Sequence, residues 1–188
     1  VTSYTFTSVD ADHTIDASFA IDTFTITASS GPHGSISPSG DVTVDYGDDQ
    51  TFIITPDSGY IFDDVLVDGV SVGAVTSYTF TSVDADHTID ATFTQNFHTI
   101  TATAGSGGSI DPSGAVNVPH NDDQTFTITP DAGYHILDVL VDGVSVGAVS
   151  SYTFTSVKND HTIDASFEIN TYTITATAGA NGSIAPSG

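Results

Sequence analysis

Threonine and apolar residues alternate along much of this chain. In residues 23–28, Phe24, Ile26 and Ala28 fall on one side and Thr23, Thr25 and Thr27 on the other. Successive side chains of an extended strand point to opposite faces, so such a run predicts a half-buried strand. The same alternation recurs at Phe52 and Ile54, at Tyr78 and Phe80, and at Ile89, Ala91 and Phe93. Thr suits the outer face because its branched side chain favours extended backbone. No stretch carries a 3.6-residue apolar stripe of useful length. Residues 60–66 have room for one helical turn, but their Val-rich end favours strand.

Turn residues divide the runs. Gly34-Ser-Ile-Ser-Pro-Ser-Gly40 reads as a short strand closed by a Pro-Ser-Gly turn. Pro56 and Pro130 end strands ahead of Asp57-Ser-Gly59 and Asp131-Ala-Gly133. Asp68-Gly69, between Val65-Leu-Val67 and Val70-Ser-Val72, predicts a two-residue hairpin with a type I′ turn. Strands are expected at 23–29, 35–38, 42–45, 50–55, 60–67, 70–73, 76–82 and 87–94, merging into six or seven. The expected fold class is all-β.

The pattern repeats without gaps every 74 residues: Val1-Thr-Ser-Tyr-Thr-Phe-Thr-Ser-Val9 returns at 75–83 and, with one change, at 149–157. The 188 residues therefore form a tandem array of small β-rich modules. Residues 1–22 match the C-terminal part of a unit, 23–96 and 97–170 are complete units, and 171–188 match the N-terminal part. The chain is expected to be a window on a longer array. The joints at Ala20-Ile-Asp22, Thr94-Gln-Asn96 and Glu168-Ile-Asn170 are too short to act as flexible linkers. A stiff or semi-stiff rod is expected, each copy adding roughly 25–40 Å.

With 38% hydrophobic residues the chain can build cores despite its charge, and without cysteine it has no disulfide or thiolate metal site. The acids number 24, all Asp except Glu168, against the single base Lys158, for a net charge of −23. Such a surface repels nucleic acid and anionic membranes and favours cations. No apolar run reaches 18 residues, so no membrane insertion is expected from this segment.

Several motifs together resemble a known family. They include Gly34-Ser-Ile36 with Pro38-Ser-Gly40, and Gln124-Thr-Phe-Thr-Ile-Thr-Pro-Asp-Ala-Gly-Tyr134. Val139-Leu-Val-Asp-Gly-Val-Ser-Val-Gly147, Ser151-Tyr-Thr-Phe154 and Asp160-His-Thr-Ile-Asp-Ala-Ser-Phe167 complete the set. This series resembles the divergent internalin B-repeat family across residues 24–93 and 98–167 and the two partial copies. The resemblance implies a small β-rich module, β-grasp-like or a small sandwich. It implies tandem use in large secreted or surface-anchored proteins, and it brings no catalytic residues with it.

Asp12-His-Thr14, Asp86-His-Thr88 and Asp160-His-Thr162 recur at one place in every copy. A His beside an Asp suggests acid–base work. The triplet nevertheless stands at the start of a strand, where the plainer reading is a turn whose Asp accepts backbone N–H bonds while His covers the strand edge. No catalytic residue is assigned. Calcium needs six to eight oxygens, and Asp48, Asp49, Asp122, Asp123, Asp12 and Asp86 are the candidate Ca²⁺ ligands. Lys158 replaces Asp84 in the last copy, which weakens Asp84 and Asp10 as ligands. His33, His98, His120 and His135 face Gly107, Phe24, Tyr46 and Ile61 in the other complete unit, so no convergence among them is expected. The Tyr and Phe of each Tyr-Thr-Phe run share a face and are expected to be buried, which argues against an aromatic sugar platform.

A structural, non-enzymatic task is expected: an extracellular fibre or adhesin stalk in a long secreted or cell-surface protein. Its partners would be neighbouring repeats, other copies of the chain and divalent cations. The alternative is a multivalent binding module for polysaccharide or a host surface.

Overall fold

A computed structural model describes residues 3–186. Residues 1, 2, 187 and 188, the outer ends of the two expected partial units, lie outside the described residues. The first complete repeat forms β1 (Thr23–Ser30), β2 (Gly34–Ser37), β3 (Gly40–Asp45), β4 (Gln50–Pro56), β5 (Tyr60–Val67), β6 (Val70–Ser71), β7 (Ser77–Phe80) and β8 (His87–Gln95). The second forms β9 (Phe97–Ala104), β10 (Gly108–Asp111), β11 (Gly114–Pro119), β12 (Gln124–Pro130), β13 (Tyr134–Val141), β14 (Val144–Gly147), β15 (Ser151–Phe154) and β16 (His161–Ile169). None of the eight strands of a repeat merges with another, and residues 60–66 are strand rather than a helical turn. Among the described residues there is no helix, hence none long and apolar enough to cross a membrane.

Each repeat is a small sandwich. Its larger sheet has the order β3-β1-β8-β5-β6, or β11-β9-β16-β13-β14, and its smaller sheet β2-β4-β7, or β10-β12-β15. The alternation read from the sequence supplies the core from both inner faces. Ile26, Ala28, Val44, Val65, Ile89 and Ala91 come from the larger sheet, and Ile36, Phe52, Ile54 and Phe80 from the smaller. Phe52 and Phe80 meet edge to face at 5.9 Å, as do Phe126 and Phe154. Phe80 and Phe154 are thus core residues, whereas Tyr78 and Tyr152, expected to be buried beside them, are only half-buried.

Most neighbouring strands are antiparallel, but the first and last strands of a repeat lie side by side and parallel. Ile26 to Ser30 pair with His87 to Ala91, and Ile100 to Ala104 with His161 to Ala165. In the second repeat, Phe97 at the start of β9 and Ile169 at the end of β16 are therefore at opposite ends of the sheet. The register separates them by about 11 residues, or roughly 35 Å along the strands.

The β5–β6 turn has the expected type I′ signature, with φ of 51° at Asp68 and 77° at Gly69; Asp142 and Gly143 match it at 49° and 77°. Residues 3–22 and 171–186 contain no strand. The first segment holds copies of β7 and β8 but not of β4, β5 and β1, against which those strands pair. Its rings keep local contacts, with Phe6 stacked on His13 at 4.8 Å, but Tyr4 and Phe6 are exposed. The chain divides into two compact units, Val1–Thr55 with Asp63–Thr92, and Pro56–Phe62 with Phe93–Gly188.

Phe52 and Phe126 are 0% exposed, whereas Val70, in the hairpin of the first repeat, is 68% exposed. Phe52→Ala or Phe126→Ala is expected to cost about 3–5 kcal/mol in denaturant unfolding. That is a large part of the ~4–11 kcal/mol typical of a domain this size. Val70→Ala should change stability by no more than ~0.5 kcal/mol.

Candidate functional site

In the two complete repeats the Asp-His-Thr triplet sits where the hairpin tip, the first strand and the last strand meet. Asp86 does not cap its own turn. Its Oδ1 accepts the Thr25 amide at 2.8 Å, and Asp160 does the same for Thr99. The parallel pairing of first and last strands brings these distant residues together, so the expected local turn becomes a clasp between strands. His87 does cover an edge, lying on Phe80 with ring centroids 4.8 Å apart.

The partner of His87 is Asp68, from the type I′ turn. Asp68 Oδ2 lies 2.7 Å from His87 Nδ1, and Oδ1 accepts the Thr88 amide at 2.8 Å. Asp142 holds His161 and Thr162 at the same distances. One carboxylate thus ties the hairpin tip to the start of the last strand. The Thr88 amide, and after it His87, hold the Asp68 carboxyl below the usual carboxylate range, although desolvation pushes the other way. Thr162 and His161 do the same for Asp142.

Around each clasp is a shallow polar hollow. The first, about 310 Å³, is lined by Thr25, Thr27, Asp41, Asp68, Asp86, His87 and Thr88. The second, about 300 Å³, lacks the counterpart of Asp41, because residue 115 is Ala. An imidazole oriented by a carboxylate is present in both, near Asp86 or Asp160, whose carboxylate holds the first strand.

The expected calcium ligands fall at separate places. Asp48 and Asp49 occupy the turn between β3 and β4. Asp49 Oδ1 accepts the Ser82 amide at 2.8 Å, and the Asp48 carbonyl accepts the Val83 amide at 2.9 Å. Asp123 and Asp122 bind Ser156 and Val157 in the same way. These pairs staple the loop after β7 to the turn after β3. Asp12 lies exposed in the strandless segment, which has no counterpart of Thr25. Among the described residues, no three His, Asp or Glu side chains are grouped to hold a metal ion.

Two features escaped the sequence reading. Asp64 Oδ1 accepts bonds from Val65 N, Ser71 Oγ and Gly73 N at 2.8, 2.7 and 3.2 Å; Asp138 similarly serves Val139 N and Ser145 Oγ. Asp138 stands where the β13·β16 register shifts. Second, His98 and His120, expected to stand apart, are in contact: Nε2 of the first lies 2.9 Å from Nδ1 of the second. The β9–β11 hairpin brings them together, with His98 opposite Val118 and His120 two residues beyond it. Comparing one repeat with the other concealed this because both positions change at once. His135 lies elsewhere, 2.9 Å from Asn170 Oδ1.

A carboxyl held below its ordinary pKa stabilises the fold above its unfolded value of about 3.9 and loses that contribution as pH falls through the lower, folded value. Asp68→Asn with Asp142→Asn should therefore weaken each repeat by about 1 kcal/mol at neutral pH, the clasp being partly exposed. The variant's unfolding free energy should also fall less steeply than the parent's below pH 4. Chemical unfolding across pH 2–7 measures both effects.

The family model of the divergent InlB B-repeat domain matches residues 24–97 and again 98–171. No curated protein matches the sequence. With most of its length covered by two consecutive matches, the chain belongs to the divergent InlB B-repeat family.

Proposed function

We propose that this chain is a tension-bearing segment of a long secreted or cell-surface protein, working as an extracellular fibre or adhesin stalk and not as an enzyme. The observation that carries this reading is the parallel pairing of the first and last strands in each repeat. A pull on the two ends of such a module drags β9 and β16 along each other in opposite directions. Their evenly spaced, slanted hydrogen bonds are then loaded together rather than opened one at a time. The Asp160–Thr99 clasp crosses the same pair of strands, as does the Thr103–Asp164 side-chain bond, and both add to the ladder under shear.

Tandem repetition fits this task, since length scales with copy number while each module keeps its own core. The joint is a single residue: β8 ends at Gln95 and β9 begins at Phe97. The net charge of −23 adds a repulsive coat, which keeps neighbouring chains apart at low salt and lets divalent cations draw them together. Other copies of the chain are the proposed partners, with exposed sheet edges as the contact surface.

Single-molecule pulling tests the reading. The chain has no cysteine, so attachment points can be introduced singly. Force applied through Phe97→Cys and Ile169→Cys shears the β9·β16 ladder. Force applied through Phe97→Cys and Pro119→Cys, which are paired across β9 and β11, unzips one hairpin. The first geometry should require the clearly higher unfolding force. Equal or reversed forces would remove the mechanical argument.

A further inference from the structure

The two repeats differ at one pair of positions in a way that changes chemistry while leaving the backbone alone. Phe24 and Tyr46 in the first repeat have ring centroids 6.2 Å apart. His98 and His120 replace them in the second, with centroids 5.1 Å apart and two ring nitrogens at 2.9 Å. The frame beneath is the same. Tyr46 N–H donates to the Asp22 carbonyl at 2.8 Å, and His120 N–H to the Asn96 carbonyl at 2.9 Å. Val44 pairs with Phe24 as Val118 pairs with His98.

His98 is well enclosed, its side chain only 15% exposed, and its two nitrogens face different groups. Nε2 looks at His120. Nδ1 lies 4.0 Å from Asp160 Oδ1, whose carboxylate is fixed by the Thr99 amide at 2.8 Å. A carboxylate on the Nδ1 side favours the proton at that nitrogen and leaves the Nε2 lone pair directed at His120. At 4.0 Å the carboxylate is beyond hydrogen-bond reach and acts on the ring as a nearby negative charge, which also favours a cation at the pair.

We propose that His98 Nε2 and His120 Nδ1 form a two-imidazole site for a divalent transition cation of the Zn²⁺, Ni²⁺ or Cu²⁺ type, with water completing the coordination. Imidazole donors select these ions over Ca²⁺ and Mg²⁺, which prefer oxygen. Two nitrogens bound tetrahedrally at about 2.0–2.1 Å from zinc are about 3.3 Å apart. The nitrogens therefore need to separate by only a few tenths of an ångström, and each ring must also tilt by roughly 35° so that both lone pairs converge on the metal instead of on each other. In the hydrogen-bonded pair the N–H of one ring donates to the lone pair of the other. On binding, the His120 proton resides on Nε2, both rings stay neutral, and both facing lone pairs go to the metal. The first repeat carries Asp86 in the place of Asp160 but has no imidazole at positions 24 and 46, so one such site is expected in these two repeats.

The test uses the whole chain labelled with ¹⁵N and titrated with Zn²⁺ in excess Mg²⁺, which occupies the diffuse carboxylate field. The His98 Nε2 and His120 Nδ1 resonances should move together and saturate at one equivalent of zinc. In a second chain, His98→Phe with His120→Tyr restores the first repeat's own pair on the same frame. That variant should keep its amide dispersion and lose the saturable step. The proposal is overturned if the two resonances stay in place through the titration, or if the step survives in the double variant. The native-chain resonances decide the matter even if the variant folds poorly.

Discussion

The pairing of each repeat's first strand with its last is the constraint on which the rest of the structure depends. Parallel neighbours cannot be joined by a tight turn, so all the intervening strands lie between them in sequence and are laid around them in space. β1 and β8 take the middle of the larger sheet, β3 and β5 flank them with β6 at the edge beside β5, and β2, β4 and β7 form the second layer. Because parallel neighbours run the same way, the chain enters a module at one end and leaves at the other. An antiparallel pair in the same position would return the chain to its starting end and make a poor link in an extended array.

The preference for Asp over Glu becomes intelligible on this frame. Asp49, Asp64, Asp68 and Asp86 each accept a backbone amide at 2.8 Å, and their counterparts repeat the arrangement in the second module. A short side chain with its carboxylate close to the backbone suits these brackets, and a longer one would lose more rotamer freedom in making them. The acids therefore serve as fasteners at strand ends and hairpin tips as well as a solvated coat. The core itself contains no buried polar or charged residue among those described.

The strands were legible because period-two alternation is a local signal. Ile26 and Ala28 face the core, as their spacing requires, and Asp68-Gly69 adopts the positive φ pair that its turn demands. The order of the strands was not legible, since β1 and β8 meet across a separation of 61 residues with no local marker. The same contact decides what the Asp residues at the candidate site do. Local sequence places Asp86 in its own turn and Asp68 at the hairpin tip, and nothing local puts Thr25 beside the first or His87 beside the second. Repeat-to-repeat comparison treats His98 and His120 as separate changes, whereas the hairpin between them makes their joint replacement the informative event.

The account stands on the placement of chain entrance and exit within one module, and a distance measurement addresses it directly. Phe97 and Ile169 are both exposed, and the absence of cysteine permits clean double labelling through Phe97→Cys and Ile169→Cys. Pulsed electron–electron resonance between spin labels at these sites should give a narrow distribution centred at roughly 35 Å, the span expected from parallel strands at about 3.3 Å per residue. A distance near that of adjacent strands, on the order of 5 Å before allowing for the label arms, would place both ends of the module together and contradict the account.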